Sequence, residues 1–253
     1  MSVSPSQFSD LAPHYDELMQ VVPYDAWADY VLMLFQIANH EPKKLLDCAC
    51  GTGNVSFELA KANIDVTGVD IAKGMIEVAN QKAQHSNLDI RFIEADLTDF
   101  SLGQTFDSAT CLYDSLNYIL DPVRLEQAFA CIHRHIEPDG VFVFDMNSTY
   151  ALQADLFTQY NRDPRKSLHY EWQANYNPKS RITSVEMLFT RFNEDGSKTE
   201  FREEHREYAY ELEEVKAMLE RTGWELERTY DAYTINLPHQ GSERWFFIAR
   251  RLP

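Results

Sequence analysis

Residues 43–59, KKLLDCACGTGNVSFEL, hold the reading on which the fold turns. Leu45, Leu46 and Cys48 form a short apolar run that predicts a buried strand, with the acidic Asp47 near its end. Ala49-Cys50-Gly51-Thr52-Gly53 predicts a tight turn. Val55, Leu59 and Ala60, about one helical turn apart, then predict a helix from Asn54. Glycines at 51 and 53 permit positive φ, and without a Cβ they let a ligand lie directly against the main chain. The first amides of the helix face that ligand unpaired. This is a nucleotide-binding turn. A P-loop is excluded, because no Gly-Lys-Ser/Thr follows the glycines. A dinucleotide fingerprint wants a third glycine where Ser56 stands, which weakens that reading without choosing the nucleotide.

Upstream of this stretch, Trp27, Tyr30, Val31, Leu34, Phe35 and Ala38 recur at helical spacing, with Asp25 placed to cap the helix and Pro42 to stop it. Downstream, residues 64–70 (IDVTGVD) read as a second strand ending in Asp70. That acid lies 19 positions after Gly51, near the offset of about 20 expected for a carboxylate gripping ribose hydroxyls. A helix follows over 72–85, then a third strand over 88–93 and a fourth over 106–112. Asp121-Pro122 marks the next helix start, an N-cap followed by proline at the first helical position. Asp139-Gly140 turns the chain into a fifth strand, VFVFDMN. Five alternations of strand and helix call for a mostly parallel sheet with helices on both faces.

From about residue 150 the pattern changes. Residues 168–176, 181–192 and 198–210 read as extended, the last two joined by Asn193-Glu194-Asp195-Gly196, with no helix between them. This predicts an antiparallel β insertion over about 160–210. A helix with Leu212, Val215, Met218 and Leu219, stopped by Gly223, and two closing strands over 224–235 and 244–250 complete seven strands. The expected architecture is one α/β domain spanning 1–253, a seven-stranded Rossmann-like sheet with the insertion after its fifth strand.

Composition narrows the function classes. A net charge of −17 argues against non-specific nucleic-acid binding, which depends on Lys and Arg neutralising phosphates. No apolar run approaches the roughly 20 residues needed to span a bilayer. The N-terminal MSVSPSQFSD lacks the basic and apolar regions of a signal peptide, so a cytoplasmic location is expected. Four cysteines (48, 50, 111 and 131) fall in strand or helix patterns, as reduced buried thiols do. Cys48 and Cys50 lack a second ligand pair at zinc spacing, so no metal site is expected. His133 and His135 read as cations at a helix C-terminus.

Five segments carry a resemblance when taken together. LDCACGTG resembles motif I of class I S-adenosylmethionine (SAM)-dependent methyltransferases, with Ala49 where the first glycine usually lies. GVDIAKGMIEVA at 68–79, EADLTDF at 94–100 and FDSATCLYDSLNYI at 106–119 are similar to the segments that follow in that family. HIEPDGVFVFDM at 135–146 is similar to its late strand. The nearest group is the YqeM-like small-molecule methyltransferases, supported by YDELM…YDAWADY near the N-terminus and EEHREYAYELEEVKAML at the end of the insertion. The resemblance implies SAM as cofactor. It places Asp70 on the ribose, Asp96 and the Leu97 backbone on the adenine edge, and Ile71 and Met75 on the adenine faces. Ala49, Gly51 and Gly53 would lie against the amino-acid end of SAM, with Asp47 near its ammonium, Trp27 packing on its methionine end and Cys111 beside it.

Methyl transfer from a sulfonium is an in-line displacement, so the protein needs no covalent nucleophile. Tyr15 and Asp114 are the candidate catalytic groups, and Asn117, Tyr118 and His205 the candidate acceptor contacts. The acceptor is expected to be a small molecule, with the methylated atom left open. A nicotinamide-dependent oxidoreductase built on the same turn, or a SAM-binding module without catalysis, are the alternatives. The insertion, whose residues alternate polar and apolar from Ser184 to Phe189, has one face to cover. It is expected to roof the acceptor pocket; a homodimer contact is the alternative, and the two uses are compatible.

Overall fold

The computed structural model describes residues 8, 11–193 and 195–252; most of MSVSPSQFSD and Glu194 of the hairpin turn lie outside the described residues. The first strand, β1 (Lys44–Cys48), is followed by β2 (Asp65–Asp70), β3 (Arg91–Glu94), β4 (Phe106–Cys111) and β5 (Ile136–Asn147). The sheet is completed by β10 (Trp224–Asp231) and β11 (Arg244–Arg251), in the order β10-β11-β5-β4-β1-β2-β3. Neighbours from β3 to β5 pair in parallel, whereas β11 runs antiparallel to both β5 and β10. The strands are apolar on both faces because helices cover both. On one side α5 (Pro122–His135) and α7 (Leu212–Arg221) bury Leu125, Phe129, Val215 and Leu219 against Phe142, Phe144 and Phe247. On the other, α2 (Tyr24–Ile37), α3 (Asn54–Lys61) and α4 (Lys73–His85) bury Val31, Leu34, Leu59 and Ala79 against Leu45, Val66 and Val143.

Between α6 (Thr149–Gln153) and α7 the chain forms a separate antiparallel sheet of β6 (Gln159–Asn161), β7 (Leu168–Asn177), β8 (Ile182–Phe192) and β9 (Lys198–Tyr208). The three longer strands fall where the sequence puts them. The three-residue β6 and the single turn of α6 are too short to leave a periodic signal. Val185, Met187 and Phe189 on β8 pack with Leu168 and Leu11, so the apolar face of this sheet is covered within the chain. Leu11 belongs to the N-terminal segment, which forms a 3-10 turn over Ala12–His14 and the one-turn α1 (Tyr15–Leu18).

Several local expectations are corrected. Asp25 does not cap α2: the N-cap is Pro23, and the Asp25 carboxylate accepts the amide of the next residue, Ala26. The helix ends at Ala38 and Asn39, the latter at φ 52°, before Pro42 is reached. The third strand begins at Arg91, because Ser86 bonds Leu88 and holds the preceding residues in a loop. Asp139-Gly140 is absorbed into β5 as an irregularity opposite β4, with Asp139 at φ 66°. His133 and His135 are not the cations of α5. Arg251 donates to the carbonyls of His133 and Ile136, burial and Arg251 lower the His133 pKa, and His135 Nε2 accepts the Leu102 amide. Asp121 does cap α5, accepting from the Val123 amide at 2.9 Å.

The glycine turn separates two costs that the sequence combines. Gly53 has φ 81°, and a Cβ there would stand 2.5 Å from the Phe92 ring. Gly51 has φ 55° and open space around that position. Gly53→Ala is therefore expected to lose about 2–5 kcal/mol, from the left-handed backbone plus overpacking. Gly51→Ala should lose only about 1–2 kcal/mol, from the backbone alone. Urea denaturation of both variants measures the difference, and equal losses would contradict the packing argument.

Candidate active site

A cavity of about 460 Å³ lies outside the carboxyl ends of β1, β2 and β4, between the glycine turn, the N-terminal segment and the inserted sheet. Its floor at one end is the turn. Cys50 N–H donates to the Val69 carbonyl at 3.0 Å and Gly53 N–H to that of Cys50 at 2.9 Å. Ala49, standing where a glycine would be free of strain, takes φ 53°, a conformation costing a non-glycine residue about 1–2 kcal/mol. Asp70 closes the turn: Oδ2 accepts the Gly51 amide and Oδ1 the Ala72 amide, both at 2.8 Å. Burial raises its pKa against the pull of these amides. Asp47 accepts the hydroxyls of Ser56 and Thr110, and burial pushes its pKa up to about 6. Ser56 is the residue that breaks the dinucleotide pattern, and here it holds the acid of the first strand.

Ile71, Met75, Asp96 and Leu97 line the same end. Asp96 is already engaged: Oδ1 accepts from the Thr98 amide and hydroxyl, and Oδ2 from Arg124 at 2.7 Å. The N-terminal segment is pinned over the turn by Asp16, which accepts from Thr52 Oγ1 at 2.6 Å, Asn54 Nδ2 at 2.9 Å and Lys82 Nζ at 2.8 Å.

At the other end the backbone is strained. Tyr113 and Asp114 take φ 67° and 52° in succession, a conformation uncommon for non-glycine residues. The fully buried Asp145, near the end of β5, accepts both their amides, at 2.6 and 3.0 Å. Arg244 donates one nitrogen to Asp145 and the other to Asp114, the latter at 2.6 Å. Burial raises the Asp114 pKa, and Arg244 draws it back. Tyr118 Oη lies 3.1 Å from His205 Nδ1, and His205 Nε2 lies 2.7 Å from Glu203 Oε2. Glu203 also accepts the amides of Phe8 and Leu11. His205 thus bridges the Tyr118 hydroxyl and a carboxylate that also holds two backbone amides. Tyr15 lines the cavity from α1, and burial followed by Tyr24 raises its pKa well above the usual range.

Four expected contacts lie elsewhere. Trp27 is outside the lining, stacked on Tyr113 at 4.8 Å with Arg244 above its ring, so it supports the strained turn from behind. Cys111 is the last residue of β4 and points into the core on the α5 side; its neighbour Leu112 lines the cavity instead. Gly53 faces Phe92. Asn117 is fully buried, donating to the carbonyls of Asn147 and Tyr208 and accepting the Asn147 amide, which spends its amide on joining β5 to β9.

A methyltransferase-domain family model matches residues 45–140. A Geobacillus sp. (strain WCH70) protein bearing a methyltransferase name is 35% identical over 252 residues, covering 96% of this chain and 99% of its own. YqeM of Bacillus subtilis (strain 168), likewise named for methyl transfer, is 30% identical over 96% of this chain and 97% of its own. The crystal structure of a SAM-dependent methyltransferase from Clostridium acetobutylicum (ATCC 824) superposes with a TM-score of 0.86 at 27% identity, over 97% of this chain and 99% of that one. The chain belongs to the SAM-dependent methyltransferases.

The geometry of this methyltransferase fits its cofactor. The open space at Gly51 and the short turn behind it leave main chain exposed to the cavity, where the amino-acid end of SAM would fit. Each Asp70 oxygen holds one amide and retains a lone pair for a ribose hydroxyl. Sequence reasoning missed Asp145, Arg244, Glu203 and Glu207. Asp145 had a signal: like Asp47 and Asp70, it is an acid near the carboxyl end of an apolar strand. Glu203, His205 and Glu207 share one face of β9 by simple alternation. Arg244 opens the last strand, and nothing in its surroundings marks it.

If Asp70 holds the ribose, Asp70→Ala should weaken both SAM and S-adenosylhomocysteine (SAH) by about 1.5–3 kcal/mol, or roughly 10–150-fold. Calorimetry on the folded variant checks this, and unchanged affinity for both would overturn the assignment.

Proposed function

We propose that this methyltransferase transfers the methyl group of SAM to a small molecule held beneath the inserted sheet, by in-line displacement with release of SAH. The observation that carries the reading is one continuous cavity running from Gly51 and Asp70 to Val185, Met187 and His205 of the insertion. Ligands of open α/β sheets bind outside the carboxyl ends of the strands, where this cavity lies. Relatives matching part of the chain act on small molecules: one is an N,N-dimethyltransferase of a dTDP-amino sugar, another a ubiquinone-biosynthesis O-methyltransferase. They differ in the atom methylated, so they support a small acceptor without choosing its chemistry.

SAM supplies an electrophilic methyl carbon on a sulfonium. The residues supply position and dryness. Asp70, Asp96, Ile71, Met75 and Leu97 would hold the nucleoside, and Ala49 to Gly51 with Asp47 the amino-acid end. Tyr15 and Asp114 flank the acceptor side, where the acceptor atom must stand about 3–3.5 Å from the methyl carbon. Residues 160–210 act as the lid of a single domain spanning 1–253, and the N-terminal segment seals it. Glu203 of the lid binds the backbone of that segment, and Asp16 binds it to the turn. Together they exclude water from the displacement. Because the apolar face of the lid packs on Leu11 within the chain, covering it needs no homodimer. Four unpaired thiols are in keeping with a cytoplasmic site of action. Among the described residues no helix is long and apolar enough to cross a membrane.

Cell extract split by ultrafiltration into small-molecule and macromolecular fractions tests this reading. SAH release should follow the small-molecule fraction and fall at least about tenfold in Asp70→Ala at subsaturating SAM. Release driven only by the macromolecular fraction would contradict it.

A further inference from the structure

Three carboxylates at the cavity, Asp47, Asp70 and Asp96, belong to the cofactor end, where hydroxyl, amide or Arg124 donors hold them. The acceptor end holds two more, Asp114 and Glu207, and the cavity lining among the described residues includes one guanidinium, Arg244. That guanidinium is spent, divided between Asp114 and Asp145. Glu207 is only 4% exposed, and its Oε2 accepts Asn147 Nδ2 at 2.8 Å. Its other oxygen has no hydrogen-bond partner among the described residues. Tyr118 Oη lies against His205 Nδ1 at 3.1 Å and keeps a lone pair open to the cavity. The carboxylates at this end outnumber its one guanidinium, and burial presses Glu207 toward its protonated form. Burying such a carboxylate without a cation is costly. The walls beyond it are apolar and aromatic, built by Trp172, Tyr170, Val185, Met187 and Phe157.

We propose that the acceptor is a primary or secondary amine on an apolar body, bound as its ammonium ion by Glu207, Asp114 and Tyr118, and that Glu207 removes the proton before transfer. This rests on the methyltransferase reading and names the substrate class of the same site. The ammonium gives one proton to the Glu207 carboxylate and becomes a neutral amine. The nitrogen lone pair forms the bond to the methyl carbon as the carbon–sulfur bond breaks, and sulfur keeps that electron pair, leaving neutral SAH. The product is the methylated ammonium, and Glu207 returns its proton to solvent on opening. Burial, then the nearby Asp114, push the Glu207 pKa well up, which suits it to hold a proton taken from an ammonium. A protein of net charge −17 also attracts cationic substrates over anionic ones.

A different use of Glu207 makes the opposite prediction. As a neutral carboxylic acid donating to an uncharged acceptor, it would be replaced without much loss by glutamine. The test uses matched sets of arylalkyl and alkyl amines, alcohols, thiols and carboxylic acids, with SAH release as the readout and SAH affinity measured separately by calorimetry. The expected result is that the amine set gives the highest turnover. Glu207→Gln should lower that turnover by about a hundredfold while SAH affinity stays within about threefold. Glu207→Asp, which keeps the charge, should retain part of it. The same comparison with Asp114→Asn serves if Glu207→Gln does not fold. Highest turnover from a non-amine set, amine turnover unchanged in Glu207→Gln, or SAH bound with none of the amines methylated would each overturn the proposal. Failure of the wild-type protein to bind SAM or SAH would instead overturn the methyltransferase reading beneath it.

Discussion

The grip of the buried Asp145 carboxylate on two backbone amides is the constraint on which the insertion end of the cavity depends. Tyr113 and Asp114 stand in left-handed conformations that cost a non-glycine residue of order 1–3 kcal/mol each. Asp145 repays that cost with two charge-assisted hydrogen bonds and is itself stabilised by Arg244. The same guanidinium then reaches Asp114, fixing the carboxylate that the strained turn presents to the cavity. Trp27 packs behind the turn, and Arg244 lies over both aromatic rings. Where β4 leaves the sheet, β5 and β11 bring a carboxylate and a guanidinium to its end.

A second carboxylate performs the matching task at the glycine-turn end. Asp70 ties the amides of Gly51 and Ala72, so the glycine turn and the start of the next helix share one anchor. Asp47 sits between Ser56 and Thr110 and joins that turn to β4. Acids at or near the ends of three parallel strands thus position three loops, and the cavity is the space those loops enclose. Its cover comes from two pieces of chain far apart in sequence, the N-terminal segment and the insertion, linked through Glu203 to the amides of Phe8 and Leu11.

How much of this was legible in the sequence depends on the range of the interactions involved. The βα units, the seven-stranded sheet and the insertion follow from local periodicity and turn chemistry, and the structure reproduces their order. Residues at strand ends were also readable, because Asp70 and Asp114 lie where topology puts a site. Asn117 was misjudged as an acceptor contact because its partners, Asn147 and Tyr208, lie 30 and 91 positions away. Trp27 was misplaced for a similar reason: its ring meets Tyr113, a partner no spacing rule connects to it. Glu207 and Arg244 passed unnoticed because each is an ordinary charged residue on a strand. Only the pairing of β9 and β11 with their surroundings gives them meaning.

The central claim is that donor and acceptor meet in the cavity between the glycine turn and the insertion. A crystal structure of the protein with SAH bound tests it most directly. The account predicts the ribose on Asp70, the adenine between Ile71, Met75 and Leu97, and the sulfur facing the opening between Tyr118, Asp114 and Glu207. SAH bound with its sulfur turned away from that opening, or seated outside the cavity, would contradict it.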